Sequence, residues 1–148
     1  DIEASWLVDR ACEVLDEEEY TKKITKITKD LADHIHSVGL DDGSSLYNEC
    51  ENGIIDTKKV WWVQVEAIIG FVNGYQKDLS RTDYLATARK IWDYTMEYMI
   101  DKRPGGEWFN ELYKDGTPIK NKEIAGLWKC PYHNGRMCFE IINRQVEF

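Results

Sequence analysis

Histidine is the side chain whose charge changes most readily near neutral pH, so it is the first candidate for moving protons. His133 stands in the richest stretch of the chain, Ile-Ala-Gly-Leu-Trp-Lys-Cys-Pro-Tyr-His-Asn-Gly-Arg-Met-Cys, residues 124–138. Trp128 precedes it, and Arg136 follows one helical turn later, where a guanidinium can bind a hydroxyl or a carboxylate. Two further places set an indole beside a carboxylate. Glu3 and Trp6 are spaced i, i+3, with Arg10 four residues on, and Trp62 and Glu66 are spaced i, i+4. An indole offers a flat apolar platform for the C–H face of a sugar, and a carboxylate accepts hydrogen bonds from adjacent hydroxyls. The same spacings also fit a core Trp beside a surface Glu, and a lone His is also a packing residue. Glu66 is the more pointed case, because its segment has almost no polar face. A carboxylate there must be buried with partners or line a cavity.

These groups need helices to position them. Residues 1–16 carry Leu7, Ala11 and Leu15 at four-residue spacing, away from Glu3 and Trp6. Residues 18–38 carry an apolar stripe of Tyr20, Ile24, Ile27, Leu31, Ile35 and Val38 opposite Lys22, Lys26, Lys29 and Asp33, and Gly39 is a stop signal. Residues 59–78 are apolar nearly all round and predict a helix covered on most sides. Residues 81–101 and 134–146 are the last two helical segments, the former opened by Ser80 and Asp83 in a capping-box spacing. Asn52-Gly53 within 46–56 and Asp115-Gly116 within 107–118 predict two short β-hairpins. Helix pairs alternating with decorated loops form a loose repeat, which fits an α-solenoid or an α/α barrel.

Composition narrows the function classes. Among 148 residues, 19 Lys and Arg face 27 Asp and Glu, a formal charge of −8. That balance argues against nucleic acid and against a helix lying on anionic lipid. Six Trp and eight Tyr are more than a small helical core needs, and they favour stacking on a sugar. Cys12, Cys50, Cys130 and Cys138 are scattered, which predicts free thiols and a cytoplasmic location. His34 and His36 point apart on a helix, so no zinc site is expected. No stretch reaches membrane-span length, and no leader is visible. The opening at Asp1 without Met suggests a segment of a longer protein.

The opening Asp-Ile-Glu-Ala-Ser-Trp, the segment Lys59–Ala67 and the segment Trp128–Cys138 together resemble the cellobiose 2-epimerase branch of the N-acylglucosamine 2-epimerase family. The likeness runs along the whole chain in order and spacing. It implies an all-α fold, with residues 1–148 as a single incomplete domain: the C-terminal part of an (α/α)6 barrel, about five helices plus the two hairpins. It also implies inversion at C2 of the reducing-end glucose of a β-1,4-linked disaccharide such as cellobiose or lactose. The family uses two His bases and a cis-enediolate, with no metal or redox cofactor. One of those His stands immediately before the Asp-Ile-Glu motif, outside this chain, and Glu3 matches the residue that holds it. His133 matches the second base. Trp62 and Trp128 match aromatic residues of the sugar site, and Glu66 matches a cleft carboxylate. Trp6, Trp61, Trp108 and Arg136 are read as further lining residues. The alternatives are an N-acylglucosamine 2-epimerase, a mannose isomerase of the same superfamily, or a non-catalytic sugar-binding module. The N-terminal half of the barrel is the expected partner, and residues 1–148 alone are expected to be inactive.

Overall fold

The computed structural model describes residues 1–148, and its centre is the segment that is apolar all round. Helix α3 (Trp61–Lys77) buries twelve of its residues, among them Val65, Ile68, Ile69 and Phe71. Around it pack α1 (Ile2–Leu15), α4 (Thr82–Tyr94) and α5 (Tyr132–Asn143), while α2 (Glu18–Val38) lies mainly against α1. None of these helices is long and apolar enough to cross a membrane. Gly70 lets α1 approach closely, since a Cβ there would stand 2.7 Å from the Ile2 side chain and 3.0 Å from its carbonyl oxygen. That approach sets the first turn of α1 against the middle of α3, one turn beyond Glu66.

The inward face of α1 differs from the apolar count. Ile2, Ser5, Trp6, Asp9 and Cys12 are buried, whereas Leu7 and Leu15 are 37% and 56% exposed and Ala11 is exposed as well. The reason is polar. Asp9 accepts hydrogen bonds from Thr28 Oγ1 at 2.8 Å and Asn73 Nδ2 at 2.8 Å, and it pairs with Lys77 Nζ at 2.7 Å. A charge whose partners come from α2 and α3 belongs inside, although its residue type says outside. Arg10 turns outward to Glu13 and takes no part in the group expected with Glu3 and Trp6. The α2 stripe is only half covered, with Tyr20, Ile27 and Val38 exposed and Thr28 and Ala32 buried.

The strand pieces form three two-stranded antiparallel sheets. Strands β3 (Glu49–Glu51) and β4 (Ile54–Asp56) make the Asn52-Gly53 hairpin, with φ of 51° and 79° at its two turn residues, the type I′ geometry. Strands β1 (Leu40–Asp41) and β2 (Ser45–Leu46) add a hairpin that the sequence pattern did not show. Buried Gln64 serves as its anchor, accepting from the Leu46 N–H at 2.8 Å and donating to the Leu46 carbonyl at 3.0 Å. The 107–118 segment does turn at Asp115-Gly116, where the Tyr113 N–H reaches the Thr117 carbonyl. Its strand β6 (Glu111–Leu112), however, pairs with β5 (Lys59–Val60) and so ties the long loop to the start of α3.

Two helix ends also move. Helix α4 gives way to one π-helical turn over Thr95–Met99. The Ser80–Asp83 capping box does not form. Ser80 donates to Asp78 at 2.5 Å, and Asp83 binds the Arg81 guanidinium, so both side chains are engaged elsewhere than in a cap.

Arg81 also clamps α4 to α2 through Asp33, which accepts a hydrogen bond from Tyr84 Oη at 2.6 Å. That hydroxyl, and then Arg81, hold the Asp33 carboxyl below its usual range against the cost of its burial. A lowered carboxyl stabilises the fold above its ordinary pKa of about 3.9, and the effect is lost as the pH falls through the lowered value. Asp33→Asn should therefore melt below the parent at neutral pH, with the gap closing as the pH falls through the lowered value of this carboxyl. Thermal melts across that range check this, and a gap that does not change with pH would contradict it.

Candidate active site

Five side chains from three helices meet near where α1, α3 and α5 begin. Glu66, fully buried on the second turn of α3, is the hub. Its Oε2 accepts a hydrogen bond from Trp6 Nε1 of α1 at 2.9 Å. Its Oε1 lies 2.6 Å from His133 Nδ1 of α5 and accepts a bond from Arg136 Nη2 at 2.7 Å. The same Nη2 donates to Glu3 Oε1 of α1 at 2.8 Å. Both carboxylates, the imidazole and the guanidinium thus form one connected group. Burial of Glu66 is tolerated because three donors satisfy it.

The geometry assigns the tautomer of His133. A carboxylate has no proton to give, so the hydrogen of the 2.6 Å contact belongs to Nδ1. The Arg136 nitrogen 3.2 Å from Nδ1 is a second donor sharing Oε1, not a partner of the ring. Nε2 is left with its lone pair, the form required of a base. Two carboxylates and one guanidinium carry one net negative charge, which an imidazolium neutralises.

The rings around His133 fix its plane. Trp62 stacks on it at 5.5 Å and 26°, Trp61 meets it edge-on at 5.4 Å, and Tyr132 leans against it at 4.0 Å. Trp62 is 37% exposed and is the indole of this group with a free face to offer. Trp6 and Trp61 are buried. The first holds Glu66 and carries the Arg136 guanidinium 5.2 Å from its ring centroid, and the second packs beneath His133. Their positions are those of supporting residues rather than the lining expected of them. Trp108 is half-buried beside the core, bridging to Ile100. Trp128 is 83% exposed on the loop before α5, and the structure does not bring its ring against Trp62 or His133.

Residues missed by sequence reasoning hold that loop. Lys129 is buried, pairs with Glu107, and sits 4.3 Å from the Trp61 ring centroid. Glu107 also accepts hydrogen bonds from Asn134 Nδ2 at 3.2 Å and the Trp108 N–H at 2.6 Å. This clamp fixes the start of α5, and with it His133. Spacing could not show it, since its members come from separate segments with ordinary surface types.

By residue type, Glu3, Glu66 and His133 could hold a metal ion, since one ligand atom of each lies within 4.8 Å of the others. In this geometry the Arg136 guanidinium already bridges the two carboxylates, and His133 Nδ1 is engaged with Glu66. A cavity of about 760 Å³ touches the group at Glu3 and Trp62 but is not lined by His133.

Residues 1–135 match the pattern of the family described as N-acylglucosamine 2-epimerase (GlcNAc 2-epimerase). The chain is 48% identical over 147 residues to a cellobiose 2-epimerase of Ruminococcus albus and 42% identical to that of Eubacterium cellulosolvens, covering 99% of this chain in both cases. It spans 37% of the first of these relatives and 36% of the second. Among solved structures, the cellobiose 2-epimerase of Bacillus thermoamylovorans superposes with a TM-score of 0.88 at 48% identity, over 97% of this chain and 36% of that one. The five helices make up part of an (α/α)6 barrel, the architecture of these structural relatives. The chain belongs to the N-acylglucosamine 2-epimerase family.

Proposed function

We propose that the whole protein carrying this chain is a carbohydrate 2-epimerase that inverts C2 of the reducing-end glucose of a β-1,4-linked disaccharide such as cellobiose or lactose. The observation that carries this reading is the buried Glu66–His133 pair, which leaves an imidazole lone pair on Nε2 beside an exposed indole. The names of the relatives supply the substrate class. Residues 1–148 are then one incomplete domain, and the rest of the barrel is its partner.

Epimerisation at C2 removes a proton α to the C1 carbonyl, so the sugar ring opens first. One base takes the C2 proton, and the electron pair moves onto O1 to give a cis-enediolate. An acid on the opposite face then returns a proton to C2 as the carbonyl re-forms. Atoms and charge balance without a redox partner. His133 is one of the two proton carriers, its Nδ1–H held by Glu66. The second carrier is the His that precedes the Asp-Ile-Glu motif in the family, held by Glu3. Trp62 and Trp128 form platforms for the sugar, and Trp108 lines the cleft beyond them. Remote contacts to the non-reducing glucose orient the reacting end. Cytoplasmic residence suits three exposed free thiols, which a reducing compartment preserves.

Incubation of the whole protein with cellobiose in D2O tests the reading. The expected result is deuterium at C2 with a glucosyl-mannose product, while residues 1–148 alone give neither. Binding without exchange by the whole protein would make it a sugar-binding module, and exchange by the isolated piece would refute the two-carrier arrangement.

A further inference from the structure

We propose that Arg136 is a positioning residue that ties the Glu3 carboxylate of α1 to the Glu66 carboxylate of α3 and limits the negative charge behind His133 to one unit. Where turnover is concerned, this rests on the proposed epimerase reading.

All of the hydrogen bonding of Arg136 in this group runs through Nη2, to Glu3 Oε1 at 2.8 Å and Glu66 Oε1 at 2.7 Å. Its Nε is buried without an acceptor, and its Cζ lies 5.2 Å from the Trp6 ring centroid. The guanidinium is therefore held between two carboxylates and an indole, a place that suits a fixed cation. Burial works against its charge, but the bonds and charges of Glu66 and then Glu3 outweigh that cost and keep it protonated. The guanidinium therefore stays charged.

The groups facing His133 and Arg136 are few. Helix α1 presents Glu3 and Trp6, and α3 presents Glu66, Trp61 and Trp62. Helix α5 adds Tyr132, and across Trp61 stands Lys129, already paired with Glu107. Arg136 is the cation in contact with both carboxylates. Because it lies three residues after His133, the same helical turn delivers the proton carrier and the cation that balances its support. Without that cation, Glu3 and Glu66 would repel each other. They would also draw a proton onto the ring more strongly, and a ring already protonated cannot act as a base.

The test uses Arg136→Gln, Arg136→Lys, Glu3→Gln and Arg136→Gln/Glu3→Gln in the whole protein. The pH profile of C2 exchange reads the charge. In Arg136→Gln the acid limb of kcat/KM should move up by about one pH unit, so that exchange on that side falls about tenfold, and Arg136→Lys should restore most of it. Melting temperature reads the bridge without any need for turnover. Glu3→Gln alone should lower it, whereas Glu3→Gln added to Arg136→Gln should raise it by removing an unpaired carboxylate. An unchanged pH profile together with simply additive melting losses overturns the proposal. If the parent protein shows no exchange at all, the epimerase reading fails, and the melting comparison still decides the bridge.

Discussion

In the whole protein, His133→Ala should abolish C2 exchange while leaving most of the disaccharide binding. The loss expected for a proton carrier in the transition state is about 10²–10⁴-fold. The geometry gives reason to expect the upper part of that range. Nε2 is the atom of this group that combines a lone pair with a charge-stabilising partner behind it, because Nδ1 is fixed on Glu66 at 2.6 Å. Neighbouring groups cannot replace it. Both carboxylates are engaged with Arg136, and the guanidinium is held charged by them. Binding should survive because Trp62 remains, with its own place set by α3 rather than by His133. Glu66 also keeps Trp6 and Arg136 as donors, so the buried carboxylate is not orphaned. Deuterium incorporation beside equilibrium binding of cellobiose separates the two properties. Turnover within a few-fold of the parent would remove His133 from the mechanism.

What the sequence made legible follows from which signals are local. The all-round apolarity of 59–78 is a property of one segment, and it correctly placed α3 at the centre with Glu66 under obligation to find partners. Asn52-Gly53 dictates positive φ at two adjacent residues, so its turn was visible as well. The inward face of α1 was not, because Asp9 is buried by partners on α2 and α3 that no count along α1 can reveal. In the site, helical spacing brought out Glu3 beside Trp6 and Trp62 beside Glu66, residue type brought out His133, and the motif resemblance gave Glu3 and His133 their roles. The division of the Trp residues between support and platform was hidden. Trp6 and Trp61 differ from Trp62 only in the direction in which each ring leaves its helix, and that is settled by what packs there. The Glu3–Arg136 bond joins residues 133 positions apart, so its existence depends on the closing of α5 against α1.

Glu66 carries the largest combined effect on stability and turnover. Glu66→Ala leaves three donors facing a void and removes one of the two carboxylates that hold Arg136. Breaking such a buried pair costs about 3 kcal/mol, the lower end of the usual range, since Glu3 still meets the guanidinium. Glu66→Gln is the sharper test, because it preserves volume and alters only the bonding. An amide has one acceptor oxygen, whereas the site presents donors on both sides. If that oxygen faces His133 and Arg136, the amide N–H opposes the Trp6 N–H across a contact that was 2.9 Å. If it faces Trp6, the amide donates to His133 Nδ1, which must then accept, and the ring hydrogen moves to Nε2. The first arrangement shifts the helix contacts that position the ring, and the second removes the lone pair. Exchange should fall by about 10²-fold or more in either case, the scale of a misplacement of about 1 Å. Melting should drop less than in Glu66→Ala. The rate of C2 exchange, with the ring tautomer followed by ¹⁵N resonance, checks both halves of the argument. A Glu66→Gln protein that exchanges within a few-fold of the parent would show that the carboxylate only fills space.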